Sequence, residues 1–365
     1  MSKRYAFLAV SLLVLVAIAL GACTPAATVA PPAPTSAPTK PPAPTATPEP
    51  AIGSPEHPIK VLFVPSVDAN IIATGGDVMA KALNEATGLT FEVSVPTSYA
   101  ATIEEMCASP TDTIGFIPAL GYALASELCG VDVAFKANRF GYDHYWAQIL
   151  VPRDSDIHSL ADLAGKKWGY GDVASTSGYM VPLVMFKNAG ITPGEQVQTG
   201  GHNQSAQALY NGEVDFATTF YSPPTDETTG KAVYDAAAPD IPDDLVSNCA
   251  VTADGSGIVC GNLRVRDARA NIREAAPDVV QKERILTVSP EIPNDTLSFG
   301  PDFPADLRSQ ISDALVAFAG TDGWKSSIGS QDFYNWTGLA PATDADYDFV
   351  RQMVEATGFN LDQIR

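Results

Sequence analysis

The sequence predicts an α/β protein of two doubly wound lobes, joined by a hinge and separated by a cleft. Strand and helix patterns alternate along most of the chain, which is typical of sheets covered by helices on both faces. About 300 residues follow an N-terminal leader and a proline-rich stretch, and this length suffices for two packed lobes. Small ligands bind such open sheets beyond the carboxyl ends of the strands, so the cleft is the expected binding site.

The N-terminus has the pattern of an export signal. Lys3 and Arg4 precede an apolar run over 6–20, which is short for a bilayer span. The run closes with Leu-Gly-Ala-Cys, which resembles the bacterial lipobox, in which the cysteine is acylated and becomes the new N-terminus. We therefore predict a lipoprotein signal over 1–23 with Cys23 as the lipidation site. An ordinary cleaved signal and an uncleaved N-terminal anchor are the alternatives.

Residues 24–58 consist mainly of proline, alanine and threonine and contain no aromatic residue. Such a segment buries too little apolar surface to offset its ordering entropy, so we predict a disordered tether. Its prolines favour extended geometry with a reach of up to about 100 Å. The tether would hold the folded body near a membrane surface.

The first lobe is assigned to residues 59–144 together with 285–365. Ser98 is a natural helix cap and Gly88 a natural helix stop. The predicted strands are 59–65, 90–95, 113–117 and 285–288, and the predicted helices are 76–87, 98–107, 121–128 and 304–319.

The second lobe is assigned to residues 145–284, beginning with a strand that leaves the first lobe. The same alternation continues, with Gly165 and Gly190 as helix stops. The predicted strands are 145–151, 167–170, 196–199 and 214–220, and the predicted helices are 159–165, 177–189 and 202–210.

Composition excludes several classes of function. The formal net charge of −20 argues against nucleic acid and against docking on anionic lipid, although it leaves a small anionic ligand possible. No zinc-protease, phosphate-loop, zinc-cysteine or serine-hydrolase motif is present, so we predict neither an enzyme nor a metal or cofactor site. A serine before a helix leaves catalysis as a minor alternative.

Four cysteines follow Cys23, and an even number in an exported chain suggests two disulfides. Proximity in sequence favours Cys107–Cys129 and Cys249–Cys260, while the other two connectivities stay open. We expect both pairs to be structural.

A hydroxyl-rich segment carries the strongest functional signal. Ser175, Thr176 and Ser177 follow a predicted strand and precede a predicted helix, and Gly178 allows close approach to the backbone. Hydroxyls beside the N–H groups of a first helical turn favour an oxyanion. A simple helix cap is the alternative, although a cap needs only one hydroxyl.

His202 has the same topological position one unit later, after the strand at 196–199 and Gly200-Gly201. An imidazole can donate an N–H to an oxyanion or gain a proton beside one. The alternative is a solvent-facing residue. The remaining histidines, His57, His144 and His158, are dispersed and form no metal set.

Residues 59–352 resemble the phosphonate-, phosphite- and phosphate-binding components of ABC importers, which have the type II periplasmic-binding fold. Two segments are specific in combination: Ser-Thr-Ser-Gly with Val-Pro after two residues, and Ser-Pro-Glu-Ile-Pro-Asn-Asp. The matching segments are Tyr99–Glu104, Tyr145–Trp146, Ser159–Gly165, Ser175–Pro182, Gly201–His202, Asn211–Asp215, Ser289–Asp295 and Thr343–Tyr347.

The resemblance implies ligand-binding roles. Ser175, Thr176 and Ser177 would hold the phosphonate oxygens, and His202 and Tyr99 would donate from either side of the cleft. The alternative for Tyr99 is ordinary packing between the lobes.

Two further residues follow from the same resemblance. Tyr145 on the crossing strand would line the pocket, with interlobe packing as the alternative. Asp295 would accept from a ligand O–H or pair with a ligand amine, with a simple turn residue after Pro293-Asn294 as the alternative.

Ser222 stands where relatives that bind aminoalkylphosphonates are expected to have a second carboxylate for the ammonium. An ammonium held by one carboxylate instead of two would lose one charge-assisted hydrogen bond, of about 1.5–3 kcal/mol. The sequence thus favours phosphite, phosphate or a simple alkylphosphonate, although Asp226 and Glu227 lie near enough to weaken this inference.

The chain is longer than compact relatives by a stretch near 225–284, which contains Cys249 and Cys260. We expect a disulfide-stapled excursion near the cleft rim or hinge.

Taken with the N-terminus, these features predict a monomeric, lipid-anchored binding protein on the outer face of the cytoplasmic membrane. It would capture a small phosphorus oxyanion and deliver it to an ABC permease. The alternatives are an aminoalkylphosphonate binder, a sensory lipoprotein for the same ligand, and a binder of another small solute.

Overall fold

The computed structural model describes residues 49–360. The predicted signal over 1–23, including Cys23, and most of the tether therefore lie outside the described residues. Within 49–360, no helix combines the length and apolar character needed to cross a membrane.

Sixteen strands are found in the described residues, numbered in chain order. They are β1 Ile59–Phe63, β2 Phe91–Ser94, β3 Thr113–Ile117, β4 Asp132–Asn138, β5 His144–Pro152, β6 Trp168–Tyr170, β7 Gln196–Gln198, β8 Phe216–Tyr221, β9 Thr225–Asp226, β10 Cys249–Val251, β11 Ile258–Cys260, β12 Leu263–Arg264, β13 Glu283–Val288, β14 Ile292–Pro293, β15 Thr296–Phe299 and β16 Gly338–Pro341.

Ten α-helices accompany these strands in the same residues. They are α1 Ala69–Thr87, α2 Tyr99–Ala108, α3 Ala119–Cys129, α4 Val181–Ala189, α5 His202–Tyr210, α6 Asp243–Val246, α7 Val279–Lys282, α8 Ala305–Ala319, α9 Asp322–Lys325 and α10 Asp348–Thr357. Short 3₁₀ segments span Leu160–Leu163, Ala268–Ile272 and Asp344–Tyr347, and a π-helical turn spans Thr176–Met180.

The first lobe is built on a sheet with the strand order β16-β4-β15-β3-β1-β2. β1 runs parallel to β2 and β3, whereas β15 is antiparallel to β3 and β4, and β16 is antiparallel to β4. Strand–helix alternation predicts a largely parallel sheet for this lobe, and that prediction is wrong, because three of the five strand pairings are antiparallel. β15 arrives from the other lobe at the cleft edge, so it runs opposite to the strands that end at that edge.

The second lobe is built on a sheet with the order β13-β5-β8-β6-β7. β6 is parallel to β7 and β8, and β5 is antiparallel to β8 and β13. The predicted strand 285–288 was assigned to the first lobe, but as β13 it pairs with β5 in the second. The chain therefore returns to the first lobe only after Val288.

Aromatic side chains fill the core of each lobe. In the first, Phe63 and Phe116 of neighbouring strands stack with ring centroids 4.6 Å apart. In the second, Trp168 is fully buried and stacks on Tyr179 at 5.2 Å. The two strands that carry Phe63 and Trp168 thus have fixed positions, and both end at the cleft.

Helix α1 begins seven residues before the predicted start at Gly76. Asp68 caps it by accepting from the backbone of Asn70 and Ile71. Gly75 and Gly76 suggest a break, but both lie inside the helix. A Cβ atom at either position would come within 2.7 Å of Phe333 or Val93, so the glycines allow the helix to pack closely on the lobe.

The end of the predicted tether is folded, and the prediction of disorder is wrong there. The Gly53 N–H donates to the carbonyl of His57, and Thr90 N–H donates to the carbonyl of Gly53 at 2.8 Å. The His57 Nε2 atom lies 2.9 Å from the Asp112 carboxylate. Ile52 packs on the core of the first lobe, which supplies the apolar burial that the composition alone did not indicate.

Both favoured disulfides are present. Cys107–Cys129 joins α2 to α3, and Cys249–Cys260 joins β10 to β11 at directly opposed positions. The second pair lies in a small antiparallel sheet with the order β10-β11-β12-β9. Val265, Ile258 and Ile272 from this region belong to the core of the second lobe, so the excursion 225–284 is an integral part of that lobe.

Candidate ligand-binding site

A cavity of about 50 Å³ lies in the cleft, where strands of the first lobe end and the chain crosses between lobes. Its walls include Ser66 beyond β1, Pro118 beyond β3, and both crossing segments. Six of the seven predicted ligand residues line it: Tyr99, Tyr145, Ser175, Ser177, His202 and Asp295.

The hydroxyl-rich segment forms the π-helical turn that leads into α4. The Ser175 hydroxyl accepts from the N–H of Gly178 at 3.1 Å, and the Ser175 carbonyl accepts from Tyr179 and Met180. The sequence suggested that the N–H groups of this turn would be free for a ligand, but those of Gly178, Tyr179 and Met180 are already hydrogen-bonded. Ser177, which lines the cavity, contributes its hydroxyl beside that of Tyr145.

Thr176 differs from its two neighbours. It is fully buried, and its hydroxyl oxygen accepts from the backbone N–H of Leu120 at 2.8 Å. Leu120 is in the first turn of α3, whose N-terminus has no side-chain cap of its own. The predicted role of Thr176 as a phosphonate contact thus competes with a contact that joins the two lobes.

Asp172 makes a second contact of this kind. Its carboxylate accepts from Ala174 N–H at 2.7 Å and from the backbone N–H of Tyr99, the first residue of α2. Burial raises the pKa of Asp172. Residues 172–176 of the second lobe therefore cap two helices of the first lobe.

His202 is buried, with 6% exposure, at the start of α5. Its Nε2 atom lies 3.5 Å from the Ser175 hydroxyl, and its backbone N–H donates to the carbonyl of Ser66. The ring Nδ1 atom is buried and has no hydrogen-bond partner among residues 49–360. Burial, with a smaller contribution from the Arg139 charge, lowers the pKa of His202 to about 4, so the imidazole is neutral at pH 7.

Arg139, which the sequence did not single out, also lines the cavity. It is 8% exposed, and its Nη2 atom lies 2.5 Å from the Asp295 carboxylate. It also donates to the Asn294 side chain and to the carbonyl of Tyr334. These contacts use three of the five guanidinium donors. The negative charge of Asp295 is therefore balanced by the positive charge of Arg139 inside the cavity.

Three tyrosines surround the same space. Burial is the main cause that raises the pKa of Tyr99, Tyr145 and Tyr334. The negative charge of Asp295 raises all three further, and Tyr334 also raises the pKa of Tyr99. Their hydroxyls consequently stay protonated and can donate at any physiological pH. Tyr334 uses its hydroxyl to donate to the Val64 carbonyl at 2.6 Å.

Sequence reasoning missed Arg139, Tyr334 and Gln331. Arg139 directly follows β4, a strand that was not predicted, and a lone arginine six residues before Tyr145 was the only signal for it. Gln331 and Tyr334 lie in an irregular segment before β16, where no periodicity marks the cavity-facing positions.

A two-lobed α/β fold with a small cavity in the cleft, where hydroxyl, imidazole and guanidinium groups meet beside the crossing segments, is typical of a solute-binding protein. The family profile of the periplasmic substrate-binding protein of phosphonate ABC transporters matches residues 61–347. The chain belongs to this family, and both the fold class and the family resemblance found in the sequence are confirmed. It is thus an extracytoplasmic substrate-binding component of an ABC transporter.

Named relatives agree with this assignment. The phosphate-import protein PhnD of Mycolicibacterium smegmatis is 26% identical over 328 residues, which cover 84% of this chain and 88% of the relative. The phosphonates-binding periplasmic protein of Escherichia coli is 38% identical over 85 residues, 21% of this chain and 25% of the relative.

Solved structures share the fold. The binding component of a phosphonate ABC transporter from Pseudomonas aeruginosa superposes with a TM-score of 0.60 at 17% identity, covering 81% of this chain and 84% of its own. PhnD1 of Prochlorococcus marinus, in complex with methylphosphonate, gives 0.59 at 12% identity, covering 82% and 98%.

Proposed function

We propose that this protein captures a small phosphorus oxyanion that carries no amine, such as phosphate, phosphite or methylphosphonate, and delivers it to an ABC permease. Tyr99, Tyr145, Ser175, Ser177 and His202 would donate to the ligand oxygens, and Arg139 would supply the positive charge. Thr176 would support the site indirectly, through the hydrogen bond that its hydroxyl accepts from the Leu120 N–H.

The Arg139–Asp295 ion pair carries this proposal. A ligand ammonium needs a carboxylate with unbalanced charge, and the carboxylate in this cavity is already balanced by a buried guanidinium. A second cation beside Arg139 would also meet electrostatic repulsion in a site of low dielectric. Asp295 keeps lone pairs with which to accept from an O–H of a protonated oxyanion.

Cavity size supports the same choice. A volume of about 50 Å³ leaves room for only a few water molecules. Phosphate, phosphite and methylphosphonate have only four or five non-hydrogen atoms, whereas an aminoalkyl chain adds further atoms. Most of the polar groups in the walls are neutral donors, and when the lobes close over an anion such donors compete well with its hydration.

Isothermal titration calorimetry tests the ligand. The wild-type protein should bind phosphate, phosphite or methylphosphonate more tightly than 2-aminoethylphosphonate. Arg139→Gln should weaken methylphosphonate binding by about tenfold or more and should improve binding of the amine, because the charge of Asp295 is then no longer balanced by a guanidinium. Asp295→Asn added to Arg139→Gln should abolish the improvement.

Arg308→Gln serves as the matched control, since Arg308 pairs with Asp132 on the surface of the first lobe away from the cavity. Preference of the wild-type protein for 2-aminoethylphosphonate would refute the ligand class. Unchanged affinity in both Ser177→Ala and His202→Ala would refute the site.

The lipid anchor belongs to the same proposal. Cys23 would be acylated after cleavage of the signal, and residues 24–50 would connect it to the folded body. A monomer held in this way stays within reach of its permease while its two lobes open and close.

A further inference from the structure

The Gln331 amide is an unexplained polar group in the cavity wall. Its Oε1 atom accepts from Nη1 of Arg266 at 2.8 Å. Its Nε2 atom is buried and has no hydrogen-bond partner among residues 49–360. Because a guanidinium only donates, the contact with Arg266 fixes which end of the amide is oxygen. The end left over is an NH₂ donor in a residue that lines the cavity.

Arg266 is itself held in place. Its Nε atom donates to the Thr225 hydroxyl at 2.9 Å, and its guanidinium lies 4.5 Å from the ring centre of Phe140. Thr225 and Arg266 both belong to the excursion 225–284, whereas Gln331 belongs to the segment that packs on the first lobe. The Arg266–Gln331 hydrogen bond thus crosses the cleft.

A second arginine of the excursion binds the next residue of the same segment. Arg273 is buried and makes two contacts of 2.5 and 2.8 Å with the Asp332 carboxylate. It also donates to the carbonyls of Gly255 and Ala270, which fix it to the excursion. We call the Arg266–Gln331 and Arg273–Asp332 contacts the cleft bridge.

We propose that Gln331 is a further ligand donor and that the excursion 225–284 positions it through the cleft bridge. A buried NH₂ group without a partner costs free energy, because it has left water without gaining a hydrogen bond. An anionic oxygen is a partner that would satisfy this donor. Arg266 is a positioning residue, which acts on the ligand only through Gln331. This inference rests on the proposed function, since it takes the ligand to be a phosphorus oxyanion.

Calorimetry with methylphosphonate and with inorganic phosphate tests the proposal on the full folded protein. Gln331→Glu keeps the oxygen that accepts from Arg266 but places a negative oxygen where Nε2 lies, so affinity should fall by more than about 100-fold. Arg266→Met should weaken binding by about fivefold, because the amide loses its orientation. In a Gln331→Ala background, Arg266→Met should have no further effect on affinity.

Arg264→Met is the matched control, because Arg264 lies at the end of β12, two residues before Arg266, and contacts Glu227 instead of the first lobe. It should bind as the wild type does. Wild-type affinity in Gln331→Glu, or equal losses from Arg266→Met with and without Gln331, would overturn the inference while leaving the proposed function intact. A wild-type protein that binds neither probe would overturn both.

Discussion

At the scale of single residues, the ionisable groups in the cavity wall are either paired or neutral. Arg139 and Asp295 neutralise each other, and His202 is held neutral by burial. The cavity therefore offers directed donors and one compensated cation, with no unbalanced carboxylate. Under the proposed function, such a site would recognise an anion by hydrogen-bond geometry, despite the formal net charge of −20 of the whole chain.

The neutral state of His202 predicts a specific pH dependence of stability. Its pKa is about 4 in the folded protein and 6.5 in the unfolded chain, so the unfolded chain binds a proton first as the pH falls. The free energy of unfolding should therefore fall between pH 6.5 and 4, by up to about 3 kcal/mol, and should be unaffected by this group above pH 6.5.

Urea unfolding of the ligand-free protein and of His202→Asn, at pH 7 and pH 4.5, measures this contribution. The stability difference between the two proteins should change by about 2 kcal/mol between these pH values. Parallel pH profiles for wild type and variant would contradict a buried, neutral imidazole.

At the scale of elements, the loop before α4 joins the lobes by capping helices. Asp172 accepts from the first turn of α2, and Thr176 accepts from the first turn of α3. Helix N-termini carry unsatisfied N–H groups, and a cap supplied by the opposite lobe is made only when the lobes are closed. The loop that we propose to bind the ligand is therefore also the loop that makes these contacts between the lobes.

Removing one cap should reveal this coupling. Thr176→Val should weaken ligand binding by about fivefold, because the closed form loses one hydrogen bond to a buried group. Hydrogen exchange of the first turn of α3, around Leu120, should accelerate in this variant even without ligand.

Thr102→Val is the control, since the Thr102 hydroxyl bonds to Ser98 within the first lobe. It should leave both affinity and exchange near Leu120 unchanged. Loss of affinity in Thr176→Val without faster exchange there would instead favour a direct contact between Thr176 and the ligand.

At the scale of the whole molecule, two lobes surround a cavity of about 50 Å³ in the cleft between them. The two crossing segments allow hinge motion, and the cleft bridge and the helix caps define the closed form. A binding protein of this kind works beside its permease, which is where a lipid anchor with a long tether would keep it.

Substitution of Cys23 tests the anchor. In a bacterial host, the wild-type protein should fractionate with membranes and incorporate labelled palmitate, whereas Cys23→Ala should do neither. Ala22→Ser preserves a small residue before the cysteine and should behave as the wild type. Labelled, membrane-bound Cys23→Ala would exclude the predicted lipidation site.

Several features could be predicted from sequence because they depend on local patterns. Alternating apolar runs and glycine stops gave the α/β class, and most predicted strands and helices lie within a few residues of their observed bounds. α10 could also have been predicted, since Val350, Met353 and Val354 have helical spacing before Gly358. The hydroxyl run and His202 drew attention to one cavity because both stand where a strand passes into a helix.

Tertiary structure decided what depends on distant contacts. Gly75 and Gly76 became helical because Phe333 and Val93 pack against them, and residues 51–58 became ordered because the first lobe covers Ile52. The sequence by itself determined the fold class, the disulfide candidates and the cavity residues Ser175, Ser177 and His202, all of which follow from neighbouring residues in the chain. Tyr99, Tyr145 and Asp295 followed instead from the resemblance to the family. Only the folded chain brought Arg139 to Asp295 and Arg266 to Gln331, since electrostatic and hydrogen-bond partners more than 60 residues apart leave no periodic trace.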